Sequence, residues 1–222
     1  MRRLFIIGSL IALATLVGCS GIQRDRSYGT GQVRPGCCAS AETRPSRAAI
    51  VQTAARLVGS RTVEVSGRRI AYDCAGVTRA VFLKHGIDLY ESPADQQANG
   101  VRLIYNHVRQ HGKVHRGPAA QPGDLVFFDN TWDANRDGRA NDRLTHVGIV
   151  ERQDPDGTIT FISRVAGAVE RYRMNLGLPH VHKTAAGKVL NDHIRRKEPG
   201  AAPGTAYLTG ELFAGFGNRF GL

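Results

Sequence analysis

The chain has 222 residues and a formal net charge of +11, with 30 Lys and Arg against 19 Asp and Glu. That length is about one domain's worth of polypeptide. Such a charge would invite a nucleic-acid partner, but no dense Lys/Arg run with interleaved aromatics forms a binding strip, which leaves solubility or another acidic partner as what the charge serves.

Met1-Arg2-Arg3, an apolar run over 4–17 and Leu16-Val17-Gly18-Cys19 read together as a secretory signal ending in a lipobox. Small residues before Cys19 suit cleavage there, so residues 1–18 are expected to be removed and Cys19 to take the lipid. The apolar run falls short of the ~20 residues that a membrane span needs. Residues 19–44, rich in Gly, Ser, Arg and Pro, are expected to form a flexible tether to a folded domain over 45–222. A protein tethered in the envelope meets peptidoglycan and lipid headgroups, and no nucleic acid. Cys37 and Cys38 fall in the tether, where an oxidising compartment allows disulfides, including between chains. Only Cys74 lies in the domain, as suits a free thiol.

After Pro45-Ser46, the apolar positions Ile50, Val51, Ala54, Leu57 and Val58 recur at helical spacing and Gly59 stops the run. Thr62, Val63, Val65 and Ile70 around Ser66-Gly67 suggest a short hairpin. A helix-like run over 77–85 follows Asp73-Cys74-Ala75-Gly76, with Val77, Ala80 and Val81 inward and Gly86 as the left-handed cap. Ser92-Pro93 reads as the start of a further helix carrying Val101, Ile104, Tyr105 and Val108 on one face and ending by Gly112. Past Gln121-Pro122-Gly123 the chain turns strand-rich, over 125–128, 146–151, 158–162 and 169–174, with a turn at Asp154-Pro155-Asp156-Gly157. Residues 184–196 are expected to hold a helix, and the apolar tail 212–217 to pack back on the domain. Helices first and an antiparallel sheet after make an α+β fold.

Cys74 stands where a polar loop gives way to a helix. Unpaired N–H groups and the helix dipole there favour thiolate over thiol, which makes Cys74 a candidate nucleophile. His146 opens a strand, and a cysteine on a helix with a histidine on a strand are the two halves of a papain-type site. Cys74 would attack, His146 would take the thiol proton and return it to the leaving amine, and the Cys74 backbone N–H would face the oxyanion. Gly76 is expected to keep bulk away from the substrate.

With these two blocks, Asp73-Cys74-Ala75-Gly76 and Thr145-His146-Val147-Gly148-Ile149-Val150, the chain resembles the NlpC-type cysteine peptidases and, more loosely, the CHAP amidases. The likeness covers roughly residues 46–175 and leaves 176–222 as an extension. It implies a papain-like domain, with the nucleophile's helix packed on an antiparallel sheet, that cuts an amide bond in peptidoglycan. The first expectation is a stem-peptide endopeptidase. The rivals are a CHAP-like N-acetylmuramoyl-L-alanine amidase and a non-catalytic envelope-binding lipoprotein of the same fold. The family's third residue, usually His, Asn or Gln, aligns with Ser163, whose hydroxyl can also accept from the imidazole. His180, His182 and Asn175 are alternatives. A tyrosine that the family tends to carry before its nucleophile is missing, since Tyr72 is too near Cys74. Likeness to Gram-negative lipoproteins, with Ser20 after Cys19, implies an outer-membrane anchor facing the periplasm.

Between the two middle strands, Asp133, Asn135, Asp137, Gly138 and Asn141 stand at positions one, three, five, six and nine of a calcium-type loop. Leu144 replaces the closing glutamate, so either calcium or a polar turn built on Asx hydrogen bonds fits. No cofactor is required by the expected chemistry. The remaining histidines, His85, His107, His111, His115 and His193, lack zinc spacing.

Overall fold

Ser46 caps the first helix, α1 (Arg47–Arg56), its side chain accepting from the Ala49 N–H at 3.1 Å, and Ile50, Thr53 and Ala54 turn inward. The structure, a computed structural model, describes residues 45–91, 98–117, 119–197 and 200–220. The expected signal, the lipidation site Cys19, the tether with Cys37 and Cys38, and Ser92-Pro93 all lie outside the described residues. Next comes the hairpin β1 (Glu64–Val65) and β2 (Arg68–Arg69). Its turn has positive φ at both Ser66 (50°) and Gly67 (74°), as a tight two-residue connection between twisted strands requires. The helix α2 (Cys74–Leu83) buries Val77, Ala80, Val81 and Phe82, and Gly86 follows at φ 78°.

The third helix, α3 (Gly100–His111), starts later than the sequence suggests. Asn99 caps it, accepting from the Arg102 N–H at 2.9 Å. Asn is as good a cap as Ser, and it starts this helix, whereas the structure at Ser92-Pro93 lies outside the described residues.

The main sheet contains β3 (Lys113–His115), β4 (Leu125–Phe128), β5 (His146–Gln153), β6 (Thr158–Arg164), β7 (Val169–Asn175) and β8 (Phe213–Asn218). Its order is β3-β8-β4-β5-β6-β7, and every neighbouring pair is antiparallel. Both faces are covered. Leu125 and Phe127 join the helices in one apolar cluster, while Val126 and Phe128 join Ile194, Leu212 and Phe216 in another. The alternation explains why the four residues of β4 are all buried: each face of the strand has its own core.

Two expectations change here. The tail is more than an apolar flap, because residues 213–218 supply a strand between β3 and β4. Gly217 is what lets it in, since a Cβ there would lie 2.9 Å from Phe127 and 3.0 Å from Val108. Residues 184–196 form no helix. Thr184 accepts a turn bond from Gly187, which takes φ 84°, and the Asn191 amide donates to the carbonyls of Leu178 and Val181 instead of leaving the backbone to helical pairing.

Candidate active site

The start of α2 leaves four N–H groups without helical partners. Of these the Asp73 carboxylate takes that of Gly76 at 2.7 Å, and the first helical bond runs from the Val77 N–H to the Asp73 carbonyl at 3.0 Å. Those of Cys74 and Ala75, together with the Val147 N–H on β5, lie near enough to the Cys74 thiol to favour its charged form. Cys74 keeps some exposed surface, yet protein crowds its sulfur. Burial therefore pushes the thiol up to about 11, against the pull of those three N–H groups and with help from the Asp73 charge. The expected easing of ionisation by the helix terminus is present but outweighed.

Gly76 serves a different purpose from the one expected. A Cβ on it would lie 2.0 Å from the Ala71 carbonyl oxygen, so glycine is required by a crossing of backbone and not by space for substrate.

His146 opens β5 with 6% of its surface exposed, and its ring packs beside Phe128 at 6.1 Å between centroids. Ser163, on the adjacent strand β6, has its hydroxyl oxygen 2.8 Å from His146 Nε2 and 2.7 Å from the Val147 carbonyl. A hydroxyl has one proton. Given to the Val147 carbonyl, it leaves the oxygen able only to accept from the ring, so the imidazole carries its proton on Nε2 and Nδ1 is the basic nitrogen. Gly148 makes room for the pair: a Cβ there would come within 3.2 Å of the Ser163 Cβ and 2.7 Å of Phe161. Burial, and then the nearby Arg164 charge, push His146 down to about 3. With sulfur near 11 and imidazole near 3, both groups rest neutral at pH 7.

The sequence alternatives to Ser163 are occupied elsewhere. His180 pairs with Glu211 at 3.1 Å, His182 Nδ1 bonds the Asn191 carbonyl at 2.6 Å, and the Asn175 amide donates to Asp156 and Thr158. Two neighbours had no signal in the sequence. Tyr90 is clamped under Arg79 at 4.4 Å, feels the Asp73 and Cys74 charges, and is raised by burial to about 12. Its hydroxyl and Ala75 crowd Gly100, where a Cβ would fall 2.3 Å and 2.8 Å from them, so the start of α3 abuts the residue after Cys74. Arg164 lies over the Tyr72 ring at 5.2 Å, with its Nε buried and unpaired among the described residues. Tyr72 itself donates to the Ser60 carbonyl, across to the end of the first helical segment.

A comparison with family models gives one match, the NlpC/P60 family, over residues 59–169, which is half of the chain. The chain belongs to the NlpC/P60 family. The match runs from the hairpin to the start of β7 and contains Cys74, His146 and Ser163. Members of the NlpC/P60 family are cysteine peptidases and amidases of the cell wall, and membership implies a peptidoglycan substrate. The α+β architecture of helices on a six-stranded antiparallel sheet agrees with the papain-like domain of that family. Compared with curated proteins and with solved structures, the chain matches none.

The calcium-type loop closes on its own donors. Asp133 accepts from the N–H groups of Asp137 and Gly138 at 3.2 and 2.8 Å, and Asp137 accepts from the Arg139 N–H and the Asn141 amide, both at 2.8 Å. Asn135 accepts from the Asp137 N–H at 3.0 Å. These are the Asx bonds of a polar turn. Among the described residues no group of three or more His, Cys, Asp or Glu stands ready for a metal.

Proposed function

We propose that this protein is a stem-peptide endopeptidase of peptidoglycan with Cys74 as nucleophile, His146 as base and Ser163 as the residue that orients it. One observation carries the reading. Val147, whose N–H lies near enough to the Cys74 sulfur to favour its charged form, takes the Ser163 proton on its carbonyl, and the Ser163 oxygen lies 2.8 Å from His146 Nε2, so one strand residue adjoins all three groups.

Because both groups rest neutral, attack and proton transfer occur together. Cys74 Sγ bonds to the scissile carbonyl carbon as its proton passes to His146 Nδ1, and the carbonyl oxygen takes up charge facing the Cys74 and Ala75 N–H groups. Collapse breaks the C–N bond, with the Nδ1 proton going to the leaving amine. A water then gives its proton to Nδ1, adds to the thioester and releases the carboxylate, and the proton returns to sulfur. No cofactor enters these steps. Ser163 supports the imidazolium throughout by accepting from Nε2.

Digestion of purified cell wall, with mass analysis of the products, tests the reading. An endopeptidase releases fragments cut within the stem peptide. Intact stems freed from the sugar would replace it with the amidase. The high thiol pKa favours a second reading, a binding lipoprotein with an idle site; a thiol probe that labels Cys74 no faster than a free cysteine, together with wall turnover unchanged in Cys74→Ala, would select it. Lipid attachment at Cys19 and an outer-membrane position facing the periplasm are proposals that rest on the lipobox, and the mass of the mature N-terminus checks them. Among the described residues no helix is long and apolar enough to cross a membrane.

A further inference from the structure

A cleft of about 580 Å³ opens between α3, the β3 and β8 edge and the residues just before His146. That volume is in the range of sites that hold small ligands or peptide segments. Its wall carries Arg102, Arg109, Arg116 and Arg143, and among the described residues no carboxylate lines it. Arg143 reaches Asp129 only at 4.0 Å, and the other three make no ion pair among the described residues. Four guanidinium groups around one concavity repel each other and leave a positive potential that an anion would relieve. Arginine is also the residue whose planar fork meets carboxylates in pairs of hydrogen bonds.

The position of the cleft ties it to the proposed chemistry. Arg102, Tyr105 and Arg109 lie at three- and four-residue spacing along α3, and the first residue of that helix abuts Ala75, next to the nucleophile. On the other wall Leu144 stands two residues before His146 and belongs to the apolar cluster that Cys74 packs against. From Gly100 to Arg109 the helix rises about 13 Å, at ~1.5 Å per residue. An extended peptide covers that distance in about four residues, at ~3.3 Å each.

We infer that this cleft docks an acidic peptide segment, with two or more free carboxylates, lying beside the bond to be cut. The inference rests on the hydrolase reading for what the docked segment is for, and on the cleft alone for the binding. Carboxylates seated on the arginines hold the chain in place before the thiol attacks, and a wall peptide with those groups amidated is a poor substrate.

The test uses the full chain carrying Cys74→Ala, with an N-acetylated tetrapeptide bearing two free carboxylates and its diamidated twin as probes. Calorimetry is expected to show the acidic peptide binding at least tenfold more tightly than its twin. The triple variant Arg102→Gln/Arg109→Gln/Arg116→Gln is expected to lose that preference while melting at an unchanged temperature. Equal affinity for the two peptides, an unaffected triple variant, or inorganic phosphate binding more tightly than the acidic peptide overturns the inference. With Cys74 restored, the triple variant should raise KM on wall fragments and keep kcat. Cleavage with KM unchanged sinks the cleft and spares the hydrolase. Acidic-peptide binding in a wild-type chain that cuts no wall peptide does the reverse.

Discussion

Replacing Ser163 with alanine removes one oxygen that has two tasks. It accepts from His146 Nε2 at 2.8 Å and donates to the Val147 carbonyl at 2.7 Å, at a position with 1% of its surface exposed. Water has little access to replace it, so the imidazole N–H is left without a partner, at a cost of about 1–3 kcal/mol. Stability should fall by that amount, or about 3–10 °C in melting temperature for a domain of this size. The effect on chemistry has a separate origin. Without the hydroxyl the ring is free to move its proton to Nδ1, which disarms it as a base, and the imidazolium formed during attack loses its acceptor. A loss of about 1.4 kcal/mol in the transition state lowers kcat/KM about tenfold. Nitrogen-detected NMR of the imidazole is the decisive assay, because a purely structural role would leave the tautomer unmoved. The wild type should show the proton on Nε2 and Ser163→Ala a mixture. A wild-type ring protonated on Nδ1, or a variant with the same tautomer and the same kcat/KM, would refute the reasoning.

Other outcomes follow from the same geometry. His146 has its pKa lowered to about 3, so between pH 6.5 and 3 the unfolded chain binds a proton that the folded one refuses. Its contribution is intact above pH 6.5 and is lost on acidification at about 1.4 kcal/mol per pH unit. Urea melts at pH 6 and pH 4 should therefore differ by about 2.5 kcal/mol more in wild type than in His146→Gln. Above pH 9 the raised Cys74 thiol acts in the opposite direction, and Cys74→Ala should flatten the alkaline fall in stability. Arg164→Gln removes the lesser cause of the His146 shift, so an NMR titration should move upward while staying below the ordinary value, because burial remains. Gly76→Ala drives a Cβ toward the Ala71 carbonyl and should cost about 3 kcal/mol, read as a lowered urea midpoint. At the 133–142 loop, melting with millimolar calcium should show no shift if the turn's own Asx bonds suffice; a rise of several degrees would establish a cation site.

Legibility in the sequence followed how local the physics is. Cys74 and His146 could be singled out because a helix start and a strand start each leave a mark within a few residues, and the resemblance carried by those two blocks implied the papain-like fold. Ser163 came from alignment with a family pattern that prefers larger side chains, and its bond to the Val147 carbonyl, which leaves the oxygen to accept from His146, is displayed by no sequence. The strand Phe213–Asn218 was missed because its alternate positions, Gly215 and Gly217, carry no side chain to pattern, while its place in the sheet depends on contacts with Phe127 and Val108 far away in the chain. Asn191 hid the irregular course of 184–196 in the same way, through an amide that bonds two distant carbonyls. Tyr90, Arg164 and the arginine cleft are assembled wholly by folding. The high thiol pKa was invisible as well, since helix-terminus reasoning counts the N–H groups and not the protein packed round the sulfur.

The proposed chemistry requires a covalent bond between substrate and the Cys74 sulfur. Peptidoglycan fragments mixed with the enzyme, quenched in acid within the first turnover and digested for mass spectrometry should show an acyl adduct on the peptide that contains Cys74. The adduct should disappear in His146→Gln. Wall cleavage by Cys74→Ala at the wild-type rate, with no adduct on the wild-type peptide, would contradict the account.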